Sequence, residues 1–313
     1  MTRVAAVDCG TNSIRLLISE IQEDGKIRDI SRTMEIVRLG QGVDATGEFD
    51  PAALARTRAA LEEYVKQMKF EKVERVRMVA TSATRDAKNH REFFDMTAEL
   101  LGQVQPGARA EVISGEEEAL LSFTGAVADL SSEKGPYCVI DLGGGSTEFV
   151  VGTIEGEILG SHSAQMGCVR LTERMMRSDP PTEAEVEIAT DYVAERMADV
   201  EKIVPIDKAV TFVGCAGTFT TLSALAQGME RYDADSIHGS ELRFDALRVL
   251  TRQMIGLASD VRALNPVIHP GRADVIGGGC VAVEGIMTMI ERNSSARSFF
   301  ISEKDILDGI IAG

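Results

Sequence analysis

The sequence predicts an α/β protein of two domains, and three observations carry that expectation. Segments with strand-like and helix-like periodicity alternate along the whole chain. Single domains run to about 100–200 residues, so a chain of 313 residues suggests two. Finally, the β-like run ending in Asp8-Cys9-Gly10 returns in pattern as Cys138-Val139-Ile140-Asp141-Leu142-Gly143. Each copy continues into a loop of small residues and a second β-like run. We read one strand–loop–strand unit used twice and expect the copies to face each other across a cleft.

In the first half, strands are expected over residues 3–7, 14–21 and about 27–39, with Asp24-Gly25 turning the second into the third. Asp50-Pro51 starts a helix, with Asp50 as N-cap and Pro51 at the first helical position. Leu54, Leu61, Val65 and Met68 give that helix an apolar stripe. A strand over 76–80 leads into Thr81-Ser82-Ala83-Thr84-Arg85. A helix near 89–101, a strand at 110–113 and a helix over 115–128 follow. Lys134-Gly135-Pro136 breaks the pattern and marks a domain boundary.

The second half opens with strands over 137–140, 148–153 and 158–163. A long helix over 180–200, capped by Thr182, precedes a strand at 209–213. Gly214-Cys215-Ala216-Gly217-Thr218 opens the next helix. Further helices are expected over 244–257 and 273–290, with a strand at 298–301. Ser302 caps a last short helix with Glu303 in its first turn. We therefore expect an N-terminal domain over 1–130 and a C-terminal domain over 134–302. The last helix, about 303–313, is expected to pack back on the first domain.

An apolar fraction of 44% with 26% charged residues supports real cores. The formal net charge of −16 disfavours nucleic acid and anionic membranes as partners. The five cysteines form no CxxC pair, which suggests buried, reduced thiols. The N-terminus lacks an apolar signal region, and no apolar run approaches the roughly 20 residues that span a bilayer. A cytoplasmic location is the expectation.

A hairpin loop built from Gly, Ser, Thr and Asn can aim several backbone N–H groups at one point, which makes an anion site. Gly10, Thr11, Asn12 and Ser13 form one such loop, and Gly143, Gly144, Gly145, Ser146 and Thr147 form the other. Each is led by an aspartate at a strand end, Asp8 or Asp141, placed to hold a metal ion beside bound phosphate. Glu148 lies seven residues after Asp141, so a hairpin returns it beside that aspartate. Glu116-Glu117-Glu118 is read either as helix-dipole compensation or as the source of a general base. Arg85 can stabilise charge on a transferring phosphoryl group. Lys88, Arg91, Arg170 and Arg272 are further candidate cations. Gly277-Gly278-Gly279 fits close helix packing at least as well as a ligand contact. Gly40-Gln41-Gly42 is set aside as a dinucleotide motif, because Thr46-Gly47 and Asp50-Pro51 prevent a helix from opening there. His90, His162, His238 and His269 are scattered and are given no catalytic role.

These motifs together resemble the exopolyphosphatase / guanosine pentaphosphate phosphohydrolase (Ppx/GppA) family. The resemblance rests on Val7-Asp8-Cys9-Gly10-Thr11-Asn12-Ser13, Thr81-Ser82-Ala83-Thr84-Arg85-Asp86-Ala87 and Ile113-Ser114-Gly115-Glu116-Glu117-Glu118-Ala119. It extends through Val139-Ile140-Asp141-Leu142-Gly143-Gly144-Gly145-Ser146-Thr147-Glu148, Gly214-Cys215-Ala216-Gly217-Thr218 and Ile301-Ser302-Glu303. It implies two ribonuclease-H-like domains of the actin-like ATPase superfamily around a central cleft. It also implies Glu118 as catalytic base, Arg85 at the cleft, Asp141 and Glu148 as metal acids, and Asp8 across from them. Mg²⁺, or another divalent cation such as Mn²⁺, is the implied cofactor. Longer relatives carry a C-terminal helical extension, so a preference for short chains is expected here.

The reaction expected is attack of water on a terminal phosphorus, releasing orthophosphate from inorganic polyphosphate. The alternatives are a guanosine pentaphosphate (pppGpp) 5′-phosphohydrolase, a kinase of the same fold, and a non-catalytic polyphosphate or nucleotide sensor. Three acids in one helical turn favour water as the acceptor over a kinase substrate. A homodimer is expected only by family analogy.

Overall fold

The computed structural model describes all 313 residues, Met1–Gly313. The chain divides into two compact units. Unit 1 comprises Met1–Leu121 and Ile306–Gly313, and unit 2 comprises Ser122–Asp305.

Unit 1 is built on strands β1 (Thr2–Cys9), β2 (Ser13–Ile21), β3 (Ile27–Ile36), β4 (Arg75–Ala80) and β5 (Ala110–Val112). Their order in the sheet is β3-β2-β1-β4-β5. Neighbours among the first three are antiparallel, and β4 and β5 run parallel to β1. This is the ribonuclease-H-like arrangement. Its helices are α1 (Val43–Thr46), α2 (Pro51–Phe70), α3 (Ser82–Asp86), α4 (Arg91–Leu101) and the start of α5 (Gly115–Val127). Strand β1 is buried on both faces, and its alternation decides which core each residue enters. Ala5, Val7 and Cys9 pack with Leu54, Leu61, Val65 and Met68 of α2. Val4 and Ala6 pack with Ile306, Leu307 and Ile310 of the terminal helix, α13 (Ile306–Ala312).

Unit 2 repeats the arrangement on β6 (Tyr137–Leu142), β7 (Thr147–Gly152), β8 (Ile158–Ala164), β9 (Thr211–Cys215), β10 (Glu241–Arg243) and β11 (Ser298–Ile301). The order is β10-β11-β9-β6-β7-β8. Again three strands form an antiparallel meander, and the next two are parallel to its first strand. The antiparallel β10 is added at the edge. Its helices are α6 (Cys168–Met175), α7 (Glu183–Ile203), α8 (Ala216–Ala226), α9 (Ala234–Ile237), α10 (Phe244–Gly256), α11 (Ser259–Arg262) and α12 (Ile276–Asn293). Cys138, Ile140, Leu142, Phe149 and Val151 share a core with Val193 and Met197 of α7 and with α12. Every helix falls short of the length and apolarity needed to cross a membrane.

Local chemistry sets several boundaries. Asp50 accepts from the N–H groups of Ala52 and Ala53 and caps α2, with Pro51 at its first position. Thr182 and Glu185 form a reciprocal capping box, so α7 starts at Glu183 rather than 180. Strand β3 stops at Ile36, short of the expected 39, because the following residues turn to support the first loop. A single helical turn does open after Gly42, contrary to expectation, and Gly47 at φ 71° ends it after four residues. Ser302 does not cap the last helix. Its hydroxyl accepts from the Lys304 N–H and donates to the Lys304 carbonyl, and α13 starts only at Ile306.

Candidate active site

The β1–β2 hairpin of unit 1 places Asp8 directly opposite Arg15. Asp8 Oδ2 accepts from Arg15 Nε at 3.1 Å and Nη2 at 2.7 Å. The loop closes when the Gly10 N–H donates to the Ser13 carbonyl at 3.0 Å. Its other carbonyls are held from one side. Thr11 O accepts from Gly40 N–H at 2.8 Å, and Asn12 O accepts from Val37 and Arg38 N–H at 3.1 and 2.9 Å. A trans peptide points its C=O and N–H in opposite directions. Fixing those two carbonyls therefore turns the N–H groups of Asn12 and Ser13 the other way, in the manner of an anion-binding concavity. A Cβ on Gly40 would stand 2.3 Å from Thr11 Cγ2, so the supporting segment can come this close only with glycine.

The β6–β7 hairpin of unit 2 repeats this geometry. Gly143 N–H donates to Ser146 O at 3.0 Å. Gly143 O accepts from Cys168 N–H at 3.0 Å, and Gly144 O accepts from Val169 and Arg170 N–H at 2.9 and 3.0 Å. Gly145 O accepts from Arg170 Nε at 2.8 Å. Three successive carbonyls thus point at the start of α6, and the N–H groups of Gly144, Gly145 and Ser146 point away from it. Gly167 makes the close approach possible, because a Cβ there would fall 2.4 Å from the Gly144 carbonyl. Thr147, expected among the phosphate contacts, is fully buried and donates its hydroxyl to Met166 O at 2.7 Å. It anchors the loop from behind.

The cross-strand pair is where the two hairpins differ. Asp141 stands opposite Glu148 in the register, as the hairpin spacing predicted. The Cβ atoms of such partners lie about 5 Å apart on one face. The two residues are 7% and 1% exposed. Asp141 Oδ2 accepts from Ser122 Oγ at 2.5 Å, and Glu148 Oε1 accepts from Ser163 Oγ at 2.7 Å. Two buried like charges directly opposite each other are destabilising unless a cation joins them. No group of three or more His, Cys, Asp or Glu side chains is arranged to hold a metal. Two carboxylates suit Mg²⁺ or Mn²⁺, since Mg²⁺ commonly takes one or two protein carboxylates and completes its shell with phosphate and water. Asp8, the third expected metal acid, has Oδ2 committed to Arg15.

The acidic turn of α5 separates cleanly. Glu116 and Glu117 are exposed, and Glu117 pairs with Arg77 at 2.7 Å. Glu118 is 8% exposed, and its Oε2 accepts from Arg85 Nη1 at 2.8 Å. The same Nη1 donates to Ile113 O at 2.9 Å, tying the arginine to the end of β5. Arg85 Nη2 is buried with no hydrogen-bond partner, as are Thr84 Oγ1 and Thr11 Oγ1 in the same unit. Buried polar groups left in this state are costly and suit a polar ligand.

The remaining candidates fall into place. Arg170 supports the β6–β7 loop, residues 143–147 (loop 2, the β1–β2 loop of residues 10–13 being loop 1), from behind. The Arg272 guanidinium packs on Gly217 at the start of α8, where a Cβ would meet it at 2.3 Å. Ala216, just before, takes φ 69°, a left-handed backbone that costs about 1–2 kcal/mol for a non-glycine residue. Arg91 is a surface residue paired loosely with Asp95 at 3.8 Å, and Lys88 is exposed. The Gly277-Gly278-Gly279 run serves packing, admitting Arg262, the Cys168 carbonyl and the Thr218 side chain. All five cysteines are free and buried, and burial pushes the Cys168 and Cys280 thiols up to about 11 and about 12.

A profile of the Ppx/GppA phosphatase family matches residues 17–311. Exopolyphosphatase 2 of Mycobacterium tuberculosis is 53% identical over 313 residues, covering 99% of this chain and 98% of that protein. A guanosine-5'-triphosphate,3'-diphosphate pyrophosphatase of Pseudoalteromonas atlantica is 30% identical, covering 99% of this chain but 58% of that protein. The crystal structure of an exopolyphosphatase-like protein aligns with a TM-score of 0.92 at 37% identity, covering 99% of this chain and 98% of the other.

Proposed function

The chain belongs to the Ppx/GppA phosphatase family, and from that premise we propose that it is an exopolyphosphatase, releasing terminal orthophosphate from inorganic polyphosphate by attack of water. The observation that carries the chemistry is loop 2. A row of outward N–H groups adjoins a buried acid pair, which is an arrangement for a polyanion together with a divalent cation. The choice of polyphosphate over pppGpp leans on the full-length 53% identity to an exopolyphosphatase, against 30% identity to a pyrophosphatase of which the chain spans 58%.

In this reading Asp141 and Glu148 would hold Mg²⁺ or Mn²⁺. Such an ion, when bound, neutralises charge on phosphoryl oxygens. The N–H groups of Asn12, Ser13, Gly144, Gly145 and Ser146 orient phosphate oxygens without cost of reorganisation. Glu118 takes a proton from water as the water oxygen bonds to the terminal phosphorus. The bridging P–O bond then breaks, its oxygen leaving with the shortened chain. Arg85 holds the Glu118 carboxylate in place and presents its remaining donors to the phosphoryl group. A catalytic base contributes about 10²–10⁴-fold. Glu118→Gln should therefore fold and bind polyphosphate while turnover falls by about that factor. Near-normal turnover would remove Glu118 from the mechanism.

Orthophosphate release from polyphosphate, pppGpp and ATP, measured side by side with Mg²⁺, tests the reading. The expected order places polyphosphate first. Faster release from pppGpp would favour the nucleotide hydrolase, and release from none would favour a sensor. Short and long polyphosphates in the same assay test the expected preference for short chains.

A further inference from the structure

Unit 2 contains a cavity of about 120 Å³ at the end of α6 remote from loop 2. Thr172, Arg177, Asp179, Arg262, Asp274 and Gly278 are among its lining residues, two cations and two carboxylates. Two independent features give it a positive character.

One is the start of α12. This helix runs for 18 residues, and Val275 at its N-cap supplies no side-chain acceptor. The first-turn N–H groups of a helix have no intrahelical partner and carry the positive end of its dipole. Gly277 and Gly278, both in that first turn, line the cavity.

The other is Arg262. It is only 3% exposed. Its Nη1 donates to Ala273 O at 2.6 Å, while its buried Nε has no hydrogen-bond partner. Its Nη2 comes within 2.9 Å of the point where a Cβ on Gly277 would stand. A buried cation therefore sits against the positive end of a long helix, where each raises the cost of the other. Asp179 and Asp274 lend it their field, yet burial outweighs them and lowers the guanidinium below its ordinary pKa. Asp179 is itself occupied, accepting from the Ser259 N–H at 2.8 Å and from the Ser259 hydroxyl.

We propose that this cavity is a binding site for hydrogen phosphate, held by the Arg262 guanidinium and the first-turn N–H groups of α12. The carboxylate of Asp274 in the lining gives the site a selectivity. Hydrogen phosphate retains a proton at neutral pH and can donate it to a carboxylate oxygen, whereas sulfate has none to donate and would meet like charge there. The site is separate from the two loops and does not depend on the catalytic reading.

The test is anomalous diffraction from crystals of the unmodified chain soaked in arsenate, which is protonated like phosphate, and in parallel in selenate, which resembles sulfate. An arsenate peak beside Arg262 and Gly278, with selenate absent or much weaker there, is the expected result. Arsenate found only at the two loops overturns the site, and equal selenate occupancy overturns its assignment to hydrogen phosphate. In solution, orthophosphate should stabilise the chain against heat. Losing a charged hydrogen-bonding partner, as in Arg262→Met, should weaken the cavity's share of that binding by about ten- to a hundredfold. Ser178→Phe, which crowds the lining and keeps the arginine, should give the same loss if Arg262→Met does not fold. A phosphate response unchanged in Ser178→Phe would overturn the proposal.

Discussion

The β1–β2 hairpin and the β6–β7 hairpin are two copies of one device whose leading aspartates face opposite kinds of partner. Both begin with an aspartate at a strand end, and both close with an N–H to carbonyl bond across four residues. Both have their loop carbonyls held by a later glycine-containing segment. Opposite Asp8, however, stands Arg15, and opposite Asp141 stands Glu148. The first copy neutralises its own aspartate. The second sets two buried carboxylates opposite each other. On the proposed reading the duplication would supply two phosphate cradles, and the exchange of arginine for glutamate would assign the metal to the second. On the same reading an acidic chain could recognise a polyanion, because recognition would rest on backbone N–H groups and a metal and leave the surface charge to serve solubility.

The comparison can be broken at its three points of difference. Arg15→Met leaves a buried aspartate without its ion pair and should cost about 3 kcal/mol of stability, read by denaturant unfolding. A loss below about 1 kcal/mol would mean that Asp8 is compensated elsewhere. Glu148→Gln removes one metal acid. Disrupting even the supporting partners of a metal ligand costs 10–100-fold in affinity, so a loss of at least about a hundredfold in Mn²⁺ binding is expected by calorimetry. The same variant should be more heat-stable than the parent in the presence of a chelator, because it removes like-charge repulsion. Arg15→Met should show no such gain. The third point concerns the glycines behind the loops. Gly167→Ala drives a Cβ to 2.4 Å from the backbone of Gly144, whereas Gly40→Ala meets side-chain atoms only, Thr11 Cγ2 at 2.3 Å and the Cβ atoms of Thr11 and Ala83 at 3.1 Å. Overpacking costs about 1–3 kcal/mol. Gly167→Ala is expected at the upper end and Gly40→Ala at the lower, and the KM for polyphosphate should rise more in the former. Equal effects would show that loop 2 gives way as easily as loop 1.

Much of this was legible in the sequence because it is local. Asp50-Pro51 and Thr182 mark helix starts through hydrogen bonds to residues two or three positions away. The seven-residue spacing of Asp141 and Glu148 fixes their pairing through the hairpin register. Arg15 follows Asp8 at the same spacing, so the same reasoning applied to the first loop would have found it. The rest is non-local. Nothing in Val37-Arg38-Leu39-Gly40 or Gly167-Cys168-Val169-Arg170 marks them as the supports of loops far away in the chain. Their role is visible only once the carbonyls of those loops have found donors. Ser122 and Ser163, which hold the acid pair, are ordinary serines in the sequence. Short elements such as β10, α9 and α11 hold three or four residues each, too few to display a period. The residue pattern alone does not separate Glu118 from Glu116 and Glu117; the family resemblance points to it, and burial and the contact with Arg85 set it apart from the two exposed acids.

Hydrolysis in ¹⁸O-labelled water tests the central claim most directly, because it reports which phosphorus is attacked and by what. With polyphosphate and Mg²⁺, the label should appear in the released orthophosphate and not in the shortened chain, and Glu118→Gln should suppress its incorporation along with turnover. Label in the chain, or orthophosphate released without label, would contradict attack of water on the terminal phosphorus.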